Sequence, residues 1–316
     1  MDKLVSILTP CYNGEKYIWR LLDSILNQTY SRIEMIVMDD GSIDNSAAVI
    51  RSYIPRFEAR DYSLTYVYQA NSGQSVAVNN GLKFVKGDYL AYPDCDDFYA
   101  TNDAIEQMIK ALEGSDDSVV MVRCQAYLLD ENTLKITGDY KSMCGKYNLF
   151  EDCLFGLHGY CYNPGIIIII SKLDELIPDR EIYIEKHAGQ NWQIQLPLLY
   201  KYKSLTIEKF LYNIVERSNS HSRGQYPVLT TINSYENTLL NTLDRIIGMS
   251  EQEREQYKKS VRYKYRKRRL LIFTYQRQWK NVGKTLVEGD VWSNFRLLFS
   301  TLFAAIRKMK IKILKR

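Results

Sequence analysis

The chain has 316 residues, 46% of them apolar and 25% charged, enough for two domains or for one domain with a long extension. Its net charge of +5 is a C-terminal property: residues 258–269 carry eight Lys or Arg and residues 307–316 carry six, with no acid in either stretch. Six cysteines without a CxxC pair and three histidines argue against a zinc site, and no apolar run approaches the roughly 20 residues of a membrane-spanning helix.

The first residues lack the charged region and long apolar run of a signal peptide, so reduced thiols in the cytoplasm are expected. Residues 4–9 have the apolar run of a buried strand. Residues 16–27 follow with Ile18, Leu21, Leu22, Ile25 and Leu26 on one helical face. A second strand is predicted at 33–38, then a helix that Asp44 would cap and that runs through Ala47, Val49 and Ile50. A third strand at 64–68 precedes a helix at 74–85, and a fourth strand at 88–92 stops at Pro93. Three strand–helix units in a row predict an α/β fold, a mostly parallel sheet with helices on its faces.

Beyond that the alternation weakens. A helix at 104–113, a strand at 119–124, polar sequence over 130–165, a buried strand at 166–171, a helix at 190–202 despite Pro197, and a strand at 206–215 are expected. From about residue 230 the pattern is helical, with breaks near Gly248 and Gly289. The organisation expected is a donor-side half at 1–125, an acceptor-side half of the same domain at 126–225, and a basic helical extension at 226–316.

In a parallel sheet, ligands bind beyond the carboxyl ends of the strands. Four polar clusters fall there: Thr9-Pro10-Cys11-Tyr12-Asn13, Asp39-Asp40-Gly41-Ser42, Asn71-Ser72-Gly73-Gln74 and Asp94-Cys95-Asp96-Asp97. One such cluster is ordinary turn chemistry; four on one edge suggest a site. Asp94 and Asp96, two residues apart at a strand end, suit a hard divalent cation, Mg²⁺ or Mn²⁺, whose shell substrate phosphates complete. No GxGxxG, GxxxxGK[ST] or GxSxG stretch occurs, which sets aside a dinucleotide dehydrogenase, a P-loop enzyme and a Ser-His-Asp hydrolase. The basic run with Tyr263 and Tyr265 is assigned to a solvated helix face, and no nucleic-acid partner is expected.

Several motifs resemble glycosyltransferase family 2, the GT-A fold. They are Ser6-Ile7-Leu8-Thr9-Pro10-Cys11-Tyr12-Asn13, then Leu22-Asp23-Ser24-Ile25-Leu26-Asn27-Gln28-Thr29-Tyr30, then Ile36-Val37-Met38-Asp39-Asp40-Gly41-Ser42, and Gly87-Asp88-Tyr89-Leu90 leading into the DxD. The resemblance implies transfer of a sugar from a nucleotide diphosphate sugar, in this family often a UDP-sugar, to an acceptor hydroxyl with inversion. Thr9, Pro10, Tyr12 and Asp39 would hold the nucleobase, with Asn13 and Asp40 in the same motifs. Asn71, Gln74 and Asn79 would line the donor site. Asp94 would sit near ribose or metal, and Asp96 would ligate the metal.

Two departures bear on mechanism. The family often has Ala-Arg-Asn in its third helix, where this chain has Ala77-Val78-Asn79. Its acidic catalytic base, often in Glu-Asp-Trp, is matched by Gln190-Asn191-Trp192, and an asparagine takes no proton at neutral pH. Glu185, His187 and Asp97 are the nearby candidates for that base. A subgroup of surface-polysaccharide transferases resembles the chain further, in Gln74-Ser75-Val76-Ala77-Val78-Asn79-Asn80-Gly81 and Gly189-Gln190-Asn191-Trp192. A lipid-linked glycan acceptor is then expected. Residues 291–316 carry an apolar face of Trp292, Phe295, Leu298, Phe299, Leu302, Phe303 and Ile306 ahead of the terminal basic cluster, a pattern that suits either peripheral contact with an anionic membrane or packing on the catalytic domain or a second subunit. The alternative is a catalytically impaired sugar-nucleotide-binding protein.

Overall fold

The computed structural model describes residues 2–141, 148–162, 165–185, 189–217 and 228–288. The N-terminal part alternates as its periodicity predicts: β1 (Val5–Cys11), α1 (Ile18–Leu26), β2 (Ile33–Asp39), α2 (Ser46–Glu58), β3 (Ser63–Tyr68), α3 (Gln74–Leu82) and β4 (Tyr89–Ala91). The face of α1 is buried through the five residues whose spacing marks it, Ile18, Leu21, Leu22, Ile25 and Leu26. Asp44 accepts the Ser46 N–H at the start of α2 at 3.0 Å and, with its other oxygen, the Glu15 N–H at 3.1 Å.

A two-residue β5 (Phe98–Tyr99), α4 (Ala104–Glu113), a long β6 (Val119–Asp130) and β7 (Ile136–Tyr140) follow. Next come α5 (Phe150–Phe155), β8 (Ile167–Ile169), α6 (Ile170–Leu176), α7 (Asn191–Lys201) and β9 (Lys203–Glu216), and then α8 (Val228–Arg245), α9 (Glu251–Tyr275) and α10 (Trp279–Val287). Three expectations need correction. The polar stretch 130–165 contains β7 and α5. The apolar run expected as one strand at 166–171 turns into α6 at Ile170, whose N–H donates to Asp88 O at 2.9 Å. The strand expected to stop at residue 124 runs on to Asp130, so a boundary at 125 falls inside β6.

The sheet has the order β3-β2-β1-β4-β8-β6-β9-β5, with β7 beside β6. Strands β1 to β4 are mutually parallel; β8 is antiparallel to both β4 and β6, and β9 is parallel to β6. Two reversals across β8 therefore return β6 and β9 to the direction of β1 and β4. The carboxyl end of β9 opens on the same edge as the four polar clusters.

Both faces are covered, so the strands are apolar on both sides. Val5, Ile7, Met35 and Val37 pack with α1, α2 and α4, while Leu8, Ile36 and Met38 pack with α3, α7, α8 and α9. The two groups alternate along β1 and β2 with period two, as a pleated strand requires. Helix α3 lies close to the sheet: a Cβ at Gly81 would come within 2.3 Å of Leu8 Cδ1 and 2.8 Å of Met38 Cγ. That approach sets the position of the helix start, at Gln74.

Candidate active site

The loops after β1, β2 and β3 are tied to one another by the polar residues of their own motifs. Asn13 adopts φ 52, a left-handed conformation that asparagine tolerates better than most residues. Its N–H donates to Ser42 Oγ at 2.9 Å and its Oδ1 accepts the Ile43 N–H at 3.0 Å. Gly41, at φ +77, lets the second loop meet the third: a Cβ there would be 2.6 Å from Asn71 N.

Asp39 and Asp40 face opposite tasks. The buried Asp39 accepts the Ser42 N–H at 2.8 Å and the Tyr66 hydroxyl at 2.6 Å. Burial and that carboxylate push the Tyr66 hydroxyl up to about 12. Asp40 accepts the Gln69 amide at 2.7 Å and the Ser72 and Gly73 N–H groups at 2.8 and 2.9 Å. It thus sits at the N-terminus of α3, where a negative charge is favoured by the helix dipole. Thr9 and Pro10 are buried within β1, and Thr9 Oγ1 has no partner among the described residues. Tyr12 stands 47% exposed just beyond them, and Asn71 is exposed opposite.

The acidic cluster closes the edge. Gln74 Nε2 donates to Asp94 Oδ1 at 3.3 Å. Asp96, 8% exposed, is ion-paired with Arg217 at 2.5 Å, and the Arg217 guanidinium lies 4.7 Å from the centre of the Tyr17 ring. Asp97 accepts the Val215 N–H at 2.9 Å. Burial, then the charges of Asp96 and Asp94, push its carboxyl well above the usual range. Between the acids, the Cys95 thiol is hydrogen-bonded to Cys11, which together with burial pushes it well above its ordinary value.

Arg217 is the residue that the sequence analysis missed. Its signal was a single basic residue just past a strand end, but only the double reversal across β8 shows that this end joins the acidic cluster.

A third group of residues lies across α3 from the acids. Asn79 does not open onto the cleft: its amide donates to Ile182 O at 3.0 Å and accepts the Ile182 N–H at 2.8 Å. Ser75 Oγ donates to Glu185 O at 3.2 Å, and Ser234 Oγ donates to Glu185 Oε1 at 2.9 Å. Gly189 packs on the Gln74 amide, a Cβ there lying 3.0 Å from Oε1. Gln74 thus borders both the acids and the start of α7, where Gln190 is fully buried and, among the described residues, neither its amide atoms nor Asn191 Oδ1 has a hydrogen-bond partner. Unpaired buried amides cost free energy unless something supplies their partners. His187 lies outside the described residues.

The donor chemistry fits a hard divalent cation only as one shared with a ligand. Asp94 and Asp96 offer carboxylate oxygens, one oxygen of Asp96 is committed to Arg217, and no group of three His, Cys, Asp or Glu converges among the described residues. Two carboxylates completed by phosphate oxygens satisfy such an ion; a preformed cage is absent from this set.

Residues 6–170, more than half of the chain, match Glycosyl transferase family 2. The chain belongs to this family. An uncharacterised glycosyltransferase of Rickettsia typhi is 38% identical over 130 residues, 41% of this chain and 38% of that protein, so the match spans well under half of the relative. Among solved structures, TarS from S. aureus in complex with UDP-GlcNAc superposes with a TM-score of 0.64 at 17% identity, over 90% of this chain and 80% of that one. The mannosyltransferase PcManGT from Pyrobaculum calidifontis, in complex with GDP-Man and Mn²⁺, gives 0.55 at 14% identity, over 96% and 81%. The fold of this family 2 chain is therefore the GT-A fold expected from its motifs, with C-terminal helices added.

Proposed function

We propose that the chain transfers a sugar from a nucleoside diphosphate to an acceptor hydroxyl, with inversion, in the assembly of a surface polysaccharide. The observation that carries this reading is the convergence of the four strand-end clusters with Arg217 at one sheet edge. The nucleotide sugars in the titles of the TarS and PcManGT complexes support the donor class, and the Mn²⁺ of the latter supports a cation.

In this reading the nucleobase lies against the exposed Tyr12 ring with Asp39 beneath it, and the diphosphate reaches Asp94 and Asp96. A divalent cation held by those two carboxylates and the diphosphate would neutralise charge growing on the leaving group. The acceptor oxygen attacks the anomeric carbon, the bond from that carbon to the diphosphate oxygen breaks, and its electron pair leaves with the nucleoside diphosphate. The acceptor proton goes to a side-chain base, a transfer that contributes about 10²–10⁴-fold. Asn191 and Gln190 bring neutral amides that suit sugar hydroxyls. Of the candidate bases, Asp97 is spent on Val215, the Glu185 carboxylate accepts the Ser234 hydroxyl, and His187 lies two residues further on in the sequence. The lipid-linked acceptor and the membrane contact of residues 291–316, which lie outside the described residues, belong to the same proposal.

The test is to incubate the purified protein with a panel of nucleotide sugars and Mn²⁺ and to measure released nucleoside diphosphate. Release from one donor, lost in a chelator, is the expected result. No release from any donor, with nucleotide binding retained, would favour the catalytically impaired binding protein that Asn191 suggests.

A further inference from the structure

The basic run of α9 divides into two kinds of cation. Lys258 pairs with Asp244 and Glu255, Arg262 lies 3.7 Å from Glu255, and Arg269 pairs with Glu236. Lys264 and Arg268, one helical turn apart, have no carboxylate paired with them among the described residues. Both flank one aromatic ring: Lys264 Nζ lies 5.5 Å from the centre of Tyr265, and the Arg268 guanidinium lies 5.3 Å from it. Tyr265 is fully buried, and its hydroxyl has no hydrogen-bond partner among the described residues.

Of the three protons of the Lys264 ammonium, one goes to Phe155 O at 2.9 Å. The charge remains uncompensated: burial, then the neighbouring Arg268, push this lysine down to about 8. Two like charges and a buried hydroxyl form a set of donors, and the acid whose charge reaches Tyr265, Glu236, is already paired with Arg269. The set adjoins the start of α7. Burial pushes the hydroxyls of Tyr162 and Tyr235 up, and the Arg268 charge is close enough to both to oppose part of that rise. Those two rings hold Trp192 between them, with centres 5.2 and 5.0 Å from its own. Trp192 directly follows Asn191.

We propose that Lys264, Arg268 and the Tyr265 hydroxyl form a phosphoryl-binding subsite on the acceptor side of the enzyme. Two cations match the charge of a phosphate dianion, and donors on three separate side chains suit a tetrahedral oxyanion better than a planar carboxylate, which a single bidentate arginine serves. The ligand is a phosphoryl group carried by the acceptor, either on the glycan or as a lipid headgroup. The assignment to the acceptor rests on the glycosyltransferase reading; the phosphoryl site itself does not.

Binding of inorganic phosphate and of glycerol phosphate to the full chain, measured by calorimetry, tests the site without donor or turnover. Phosphate binding with no donor cleavage would thus count against the proposed activity alone. Arg268→Met is expected to weaken binding of both probes about tenfold, the loss of one charge-assisted contact. Lys264→Met should weaken it similarly, but it also removes the contact to Phe155 O and lowers the melting temperature, so Arg268→Met decides. Arg262→Met, on the acid-paired part of the same helix, should leave phosphate affinity unchanged. Equal affinity in wild type and Arg268→Met, or an equal loss in Arg262→Met, would overturn the subsite. Vesicles of equal parts phosphatidylcholine and phosphatidylglycerol distinguish the sources. Arg268→Met weakens vesicle binding if the headgroup is the ligand, and leaves it intact if a phosphorylated glycan is.

Discussion

Asp96 and Asp97 are neighbours in the chain with opposite electrostatics. Asp96 has the Arg217 guanidinium against it at 2.5 Å, on the edge where the proposed donor site lies. Asp97 is buried, faces the charges of Asp96 and Asp94, and offers an oxygen to the Val215 N–H; its carboxyl is raised accordingly. A carboxyl whose value in the fold exceeds its unfolded value of about 3.9 binds its proton more tightly when folded. Its contribution is fully present below about pH 3.9 and is lost as pH rises through the folded value. Asp97→Asn removes that dependence and keeps an acceptor for Val215. Thermal melts should show the variant above wild type at pH 8, by about 2–4 °C, with the gap closing as pH falls below 4. A variant that melts lower at pH 8 would mean that Asp97 is held ionised by a partner, and its assignment as a structural acid would fail.

At the scale of elements, the segment between α6 and α7 is held by side chains. Asn79 from α3 pairs both backbone groups of Ile182, and Gln193 from α7 does the same for Tyr183, at 2.6 and 2.9 Å. These two amides hold the stretch that leads to Glu185, whose backbone carbonyl accepts the Ser75 hydroxyl. Asn79→Ala leaves a buried N–H and C=O unpaired and should cost about 2–3 kcal/mol in urea unfolding. A loss below about 0.5 kcal/mol would show that the segment is held elsewhere. The expectation that Asn79 lines the donor site came from its motif; position in a motif does not show which way an amide faces. The elements most legible in the sequence were those with clean periodicity and both ends marked, such as α1 and α4. The short β7 and α5 were hidden because neither carries a full period of apolar residues. The run of isoleucines at 166–170 reads as strand whether or not its last residue starts a helix, since a short buried run has no phase.

At the scale of the molecule, the sheet explains why four loops and the tail of β9 share an edge. Strand order cannot be read locally: β8 enters between β4 and β6 from more than 60 residues downstream of β4, and that insertion turns β9 toward the acids. The donor-side clusters were legible because each follows its own strand directly. Arg217, the orphan amides of Gln190 and Asn191, and the division of α9 into paired and unpaired cations were not, because each depends on which distant element lies opposite. Among the described residues no helix is long and apolar enough to cross a membrane.

The central claim is that Asp96, on the edge where the four loops meet, supports the departure of a nucleoside diphosphate. The direct measurement is the rate of nucleoside diphosphate release by wild type and by Asp96→Asn, with the best donor of the panel and both proteins checked for equal melting temperature. The expected result is a loss of about 10²–10³-fold in the variant, the scale of removing a group that stabilises transition-state charge. Equal rates in the two folded proteins would contradict the account.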